Sequence, residues 1–195
     1  MAAKHQLIFS GSEEAHLKCS KIHVNDDSRA NVGARIDMII SHQLLSMEIG
    51  VVEVSGPCDK VDKTHFLGDT AKIAKNLRLI HKQIEKSATA RNLACLRKQK
   101  LYGIQVYLNQ IYVYSLSRST ASYFVLLRKI QIQIPYTRGL FENQLPPFLG
   151  RLWCLNEMLK EVDENINEFL KQSNGEEIVS SDAECSSVEV SLRKK

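Results

Sequence analysis

No apolar run in this sequence approaches the roughly 20 residues that span a bilayer. Met1 to Glu14 also lacks the continuous apolar stretch of a secretory leader. The expectation is an intracellular protein, cytoplasmic or nuclear, with no membrane partner. The five cysteines (Cys19, Cys58, Cys95, Cys154, Cys185) are scattered and odd in number, and no two form a CxxC pair. That argues against a zinc ribbon or a redox dithiol and fits reduced thiols. The six histidines show neither HExxH nor HxxxH spacing. No internal repeat is visible.

What is present is ordinary globular material. The chain has 195 residues, of which 44% are hydrophobic and 25% charged, enough for one domain with a real core. The net charge of +4 is spread unevenly: Lys63 to Lys100 holds ten lysines and arginines against Asp69 and Glu85. The last helical stretch and the tail are acidic.

Hydrophobic periodicity divides the chain into a weakly ordered segment 1–30, one α/β domain 31–172 and a disordered tail 173–195. Ser12 to Lys18 reads as a short helix with Ser12 as cap. Ala34 to Ile40 reads as a strand, Ser41 to Gln43 as a turn, and Leu45 to Val54 as a second strand. Its run Ile49-Gly-Val-Val-Glu-Val54 is nearly all apolar, the pattern of a central strand buried on both faces. Ser55-Gly56-Pro57 ends it. A helix follows over about 64–86, with Ile73, Leu77, Ile80 and Ile84 as its apolar stripe and Lys72, Lys75, Arg78, Lys82 and Lys86 assigned to the opposite face. Ala88 to Lys98 is a connection. Three strand-like runs come next, Leu101 to Leu108, Ile111 to Leu116 and Tyr123 to Ile134, the first two joined at Asn109-Gln110. A last helix is expected from about Pro147 to Gln172, with Trp153 in the core. The class is α/β, a mixed central sheet flanked by helices with a C-terminal helix.

Two carboxylates stand out because they interrupt apolar strands. Asp37 lies between Ile36 and Met38, and Glu53 between Val52 and Val54. Adjacent strands bring such side chains within a few ångströms of each other. A converging pair can hold Mg²⁺ or Mn²⁺, which prefer oxygen ligands. An unpaired glutamate in an apolar strand is costly, so it must be paired or used. Two blander readings fit the same residues. Asp37 pairs with Arg35 or caps a turn, and Glu53 is a buried acid satisfied by a lysine or by backbone donors. Glu48, five residues before Glu53, is expected on the other face as a structural or exposed residue.

The pattern Arg35-Ile-Asp37, then Val52-Glu53-Val54-Ser55, then a helix and further strands, resembles the PD-(D/E)XK, restriction-endonuclease-like superfamily over about 30–135. The segments GVVEVSGP, KIAKNLR and LYGIQVY are also similar to uncharacterised proteins of early-diverging fungi, a likeness that carries no activity with it. The superfamily resemblance implies a restriction-endonuclease-like core, Asp37 and Glu53 as metal carboxylates, and Ser55 at the place of the family's lysine. A serine hydroxyl cannot supply the positive charge that stabilises the attacking water and the phosphorane. Lys72 or Lys75 is the candidate replacement, and Glu13 or Glu14 a substitute for a further acid.

The reading is a nuclease-like domain, degenerate in its lysine, with Mg²⁺-dependent phosphodiesterase chemistry on DNA or RNA as the activity implied. Its competitor is a non-catalytic nucleic-acid-binding or protein-interaction module on the same fold. In both nucleic-acid readings Lys72, Lys75, Arg78, Lys82 and Lys86 track the phosphate backbone, and Tyr102 or Tyr107 adds stacking. The alternative for that helix face is a solvated charge run.

Overall fold

A computed structural model describes residues 7–11, 16–18, 34–43, 47–57, 59–87, 99–120 and 123–173. Eight strands are β1 (Leu7–Gly11), β2 (His16–Leu17), β3 (Ala34–Arg35), β4 (Met38–His42), β5 (Met47–Ser55), β6 (Lys100–Tyr107), β7 (Gln110–Arg118) and β8 (Phe124–Gln133). The helices among the described residues are α1 (Lys63–Lys86) and α2 (Arg138–Ser173). Six strands form one sheet in the order β1-β4-β5-β6-β7-β8, and β2 pairs with β3 alone. Only the β5–β6 pair of the large sheet is parallel. Parallel neighbours need a long crossover, and α1 supplies it. The class is therefore α/β with a mixed sheet and two helices.

The helices cover opposite faces. Ile73, Leu77, Ile80 and Ile84 of α1 are each at most 2% exposed and pack with Ile36, Ile39, Val51, Leu101 and Leu116. Full burial of each such side chain is worth about 1.5–3 kcal/mol. Across the sheet, Val162 and Ile166 of α2 meet Ile40, Ile49, Val52, Tyr102, Ile104 and Val113. Val51 and Val52 thus enter different clusters, which is why their stretch of sequence carries no polar alternation. Near its end α2 also sends Phe169 into the α1-side cluster.

Helix α1 is capped by Asp62, whose side chain accepts the His65 N–H at 3.0 Å. These hydrogen bonds from His65 hold the Asp62 carboxyl below its ordinary range. The Asp62 N–H in turn donates to the Tyr107 hydroxyl at 2.7 Å, tying the helix start to the end of β6. Gly103 of β6 sets how closely α1 lies: a Cβ there would stand 2.3 Å from Ile73 Cγ2 and 3.1 Å from Leu77 Cδ1.

Several expectations need correction. Residues 34–40 are not one strand, because the chain breaks at Ile36–Asp37 and resumes as β4, which continues through His42. His16–Leu17 pairs with Ala34–Arg35 as strand, not helix. Leu7–Gly11 is an edge strand that the polar pattern gave no reason to expect. The β6–β7 turn is Leu108-Asn109, one residue early, and Leu108 takes the left-handed conformation with φ 54°. Helix α2 begins at Arg138, not near Pro147, and runs through Pro146 and Pro147. Prolines there remove the hydrogen bonds to the carbonyls of Glu142 and Asn143, residues that are exposed and can be hydrated. Trp153 is 65% exposed, with Lys160 Nζ 5.3 Å from its ring centre, so it is not core. Tyr102 and Tyr107 are buried at 3% and 8% and serve the sheet, not a stacking platform. The connection 88–98, the segment with Glu13 and Glu14, and the tail 174–195 lie outside the described residues. No helix among the described residues is long and apolar enough to cross a membrane.

The Gly103 contact makes a direct prediction. Gly103→Ala should lower unfolding free energy by about 1–3 kcal/mol, the usual cost of overpacking, read by urea denaturation. An unchanged midpoint would mean that Ile73 repacks freely and that α1 is not held by this approach.

Candidate functional site

The crossover places the start of α1 over the C-terminal ends of β5 and β6. Glu53 and Ser55 both point to the α1 side, as Val51 does, because strand side chains alternate. Asp37 stands at the break just before β4 rather than inside a strand. Its Oδ2 accepts the Val54 N–H at 2.7 Å, so the aspartate closes the gap between β4 and the end of β5. This contact reaches across to another strand, so it is neither a pairing with Arg35 nor the cap of a turn.

Glu53 is 2% exposed. Lys72 Nζ donates to its Oε2 at 2.7 Å, while Oε1 is buried without a hydrogen-bond partner. Burial is the largest influence on this carboxyl and pushes its pKa up to about 7; the hydrogen bond and charge of Lys72 oppose that, and the charges of Asp37 and Asp69 add to it. Three acids and one lysine thus share one electrostatic environment. Lys72 reaches inward because it lies one residue, about 100°, from Ile73. It belongs to the flank of the apolar stripe, not to the opposite face assigned from the sequence.

Ser55 is fully buried, and its Oγ accepts from Gln105 Nε2 at 2.7 Å. Gln105 is the parallel neighbour of Glu53 on β6. Its amide also donates to the Phe66 carbonyl at 2.8 Å and accepts from the Thr70 and Tyr114 hydroxyls at 2.8 and 3.1 Å. All four bonding positions of a buried amide are filled. Gln105 therefore fastens α1, β5, β6 and β7 beside Glu53, and Ser55 is a fixed partner in that network rather than a group lining the site.

Lys75, Arg78, Lys82 and Lys86 are exposed and do not join Glu53. Lys75 and Arg78 instead border a groove with Leu116, Tyr123, Phe124 and Leu126. Glu48 is buried, not exposed, and accepts the Lys18 N–H at 2.5 Å.

Of the predicted set, then, Asp37, Glu53 and Lys72 converge, and Ser55 supports them from below. Asp69 and Gln105 were missed. Gln105 carries the same signal that marked Glu53, a polar residue inside an apolar strand, and Asp69 precedes Lys72 by three positions on a helix, so it can share its flank. Among the described residues, no group of three or more His, Cys, Asp or Glu side chains is gathered closely enough to hold a metal ion. No protein-family model, curated protein or solved structure matches the chain.

The Glu53 carboxyl has a folded pKa above its ordinary 4.5, so it favours folding when protonated. Its contribution is fully present below 4.5 and is lost as pH rises toward about 7. Glu53→Gln should flatten the stability profile across that window. Lys72→Met removes both influences that lower the pKa, and the Glu53 carboxyl carbon, followed by NMR, should titrate at higher pH than in the native protein. A lower midpoint would contradict the Lys72 contact.

Proposed function

We propose that this chain is a nuclease-like domain directed at nucleic acid, with a restriction-endonuclease-like core and Asp37, Glu53 and Lys72 as a Mg²⁺-dependent phosphodiesterase centre. The observation that carries this reading is the 2.7 Å contact of Lys72 with Glu53. The residue at the family's lysine position is Ser55, and a helix lysine brings the missing cation to the same carboxylate.

The donor set suits a hard cation. Both acids offer oxygen, and Glu53 Oε1 is a buried acceptor with nothing bound to it. Asp37 and Glu53 would hold Mg²⁺, which when bound polarises a phosphoryl oxygen and lowers the pKa of its water. The lysine ammonium offsets negative charge developing on the phosphate. Gln105, through Ser55 and the Phe66 carbonyl, keeps α1 and β5 in the relation that lets Lys72 reach.

A second reading, a non-catalytic nucleic-acid-binding module, is favoured by one specific feature. Both carboxylates already satisfy internal donors, Asp37 the Val54 N–H and Glu53 the Lys72 ammonium.

Cleavage of labelled single- and double-stranded DNA and RNA with Mg²⁺ or Mn²⁺, against EDTA, separates the two. The phosphodiesterase reading expects metal-dependent cleavage that falls by about 100-fold or more in Glu53→Gln and in Lys72→Met. Cleavage that survives Asp37→Ala with Glu53→Ala would remove the centre from this site. Binding without cleavage of any substrate would select the non-catalytic module.

A further inference from the structure

The basic residues of α1 face two different places. Lys72 turns toward β5 and Glu53. Lys75 and Arg78, roughly 4.5 and 9 Å further along the helix axis, stand over a groove of about 400 Å³ between α1 and the β7–β8 hairpin. Leu116 and Leu126 form its apolar floor, and the short side chain of Ala74 leaves its helix wall open. Two aromatic rings belong to it: Tyr123 is 71% exposed at the mouth, and Phe124 is half-buried further in. The Phe124 ring is fixed by the edge of His81 at a centroid distance of 5.0 Å.

The charge here has one sign. Among the described residues, no acidic side chain lines the groove. On the same helix, Glu85 is engaged by Arg118. Lys75 and Arg78 have no carboxylate partner among the described residues. Arg78 rests instead with its guanidinium 5.8 Å from the centre of the Phe124 ring. Arg118 also lies over the Phe124 ring, at 6.0 Å from its centre, so the free aromatic face at the groove is that of Tyr123. Cations without counter-charges beside an exposed aromatic ring are the recognition chemistry of unpaired bases on a phosphate backbone. A duplex keeps its bases stacked inside and offers only phosphates.

We propose that this groove is a single-strand subsite: one unpaired base stacks on Tyr123, and the flanking phosphates lie on Lys75 and Arg78. The inference rests on the nucleic-acid reading above and gives it a substrate class. A strand whose phosphate meets Lys72 continues along α1 to the groove, so the helix carries both the reacting phosphate and its downstream neighbour. The solvated-face interpretation is then confined to Lys82 and Lys86, beyond the groove.

Fluorescence anisotropy without divalent metal tests the subsite, using the whole chain and three labelled probes: an oligothymidylate, an abasic oligomer of equal length and a duplex. The native protein should bind the oligothymidylate about tenfold more tightly than the abasic strand, and more tightly than the duplex. Tyr123→Ala, at an exposed position, should erase the difference between base-bearing and abasic strands while leaving the abasic affinity within about twofold. Lys75→Glu with Arg78→Glu should weaken both single strands by about tenfold or more, whereas Lys82→Glu with Lys86→Glu should not. Equal affinity for thymidylate and abasic strands would overturn the subsite, as would full competition by polyglutamate, which would mark an acidic-peptide surface. The assay requires no cleavage. Base-dependent binding in a Glu53→Gln protein that no longer cleaves keeps the subsite. Retained cleavage with no base dependence overturns the subsite alone.

Discussion

The burial of Glu53 under α1 is the constraint around which this molecule is arranged. An ionised carboxylate removed from water costs several kcal/mol unless something answers it. Here the answer is divided. Lys72 holds one oxygen at 2.7 Å, and the pKa rises to about 7, so the group is poised between its two charge states near neutrality. That arrangement exists only if α1 lies close to the sheet, which Gly103 allows, and only in the rotation that Gln105 and the Asp62–Tyr107 link impose. Structural residues and candidate chemistry are therefore hard to separate: the contacts that seat the helix also aim the lysine.

Helix α1 has three kinds of surface. Its apolar stripe seals the core, one flank reaches the carboxylates, and the other borders an aromatic groove. Its basic residues are consequently not one uniform phosphate track. The flank with Lys72 meets the buried Glu53, and the flank with Lys75 and Arg78 meets the groove beside Tyr123. The β7–β8 hairpin contributes by extending past the helix, leaving part of the sheet's α1-side face uncovered at Phe124 and Leu126.

Much of the fold was legible because burial leaves a periodic trace. The stripe of Ile73, Leu77, Ile80 and Ile84 and the unbroken run through Val51 and Val52 placed α1 and β5 within a residue or two. Where the trace failed, a tertiary term had overridden a local one. Pro147 marks a helix start by local rules, yet α2 begins nine residues earlier, since the carbonyls left without donors face solvent. Trp153 looks like core by size alone, but it is 65% exposed and its ring meets Lys160 of its own helix. Leu7–Gly11 carries a strand-compatible Leu-Ile-Phe inside an otherwise polar segment, and pairing with β4 fixes it at the sheet edge.

For the site, residue types alone marked what is out of place: acids and an amide flanked by apolar residues must be partnered, whatever the fold. Asp37 and Glu53 followed from that rule, and Gln105 satisfies it equally. Their partners came from the way the elements pack. Helical projection put Lys72 among the solvent-facing cations, because it counts angles and not the reach of a four-carbon side chain from the edge of a stripe. The contact of Lys72 with Glu53, 19 positions earlier, depends on a parallel crossover that lays α1 over β5, and one-dimensional spacing carries no information about that distance.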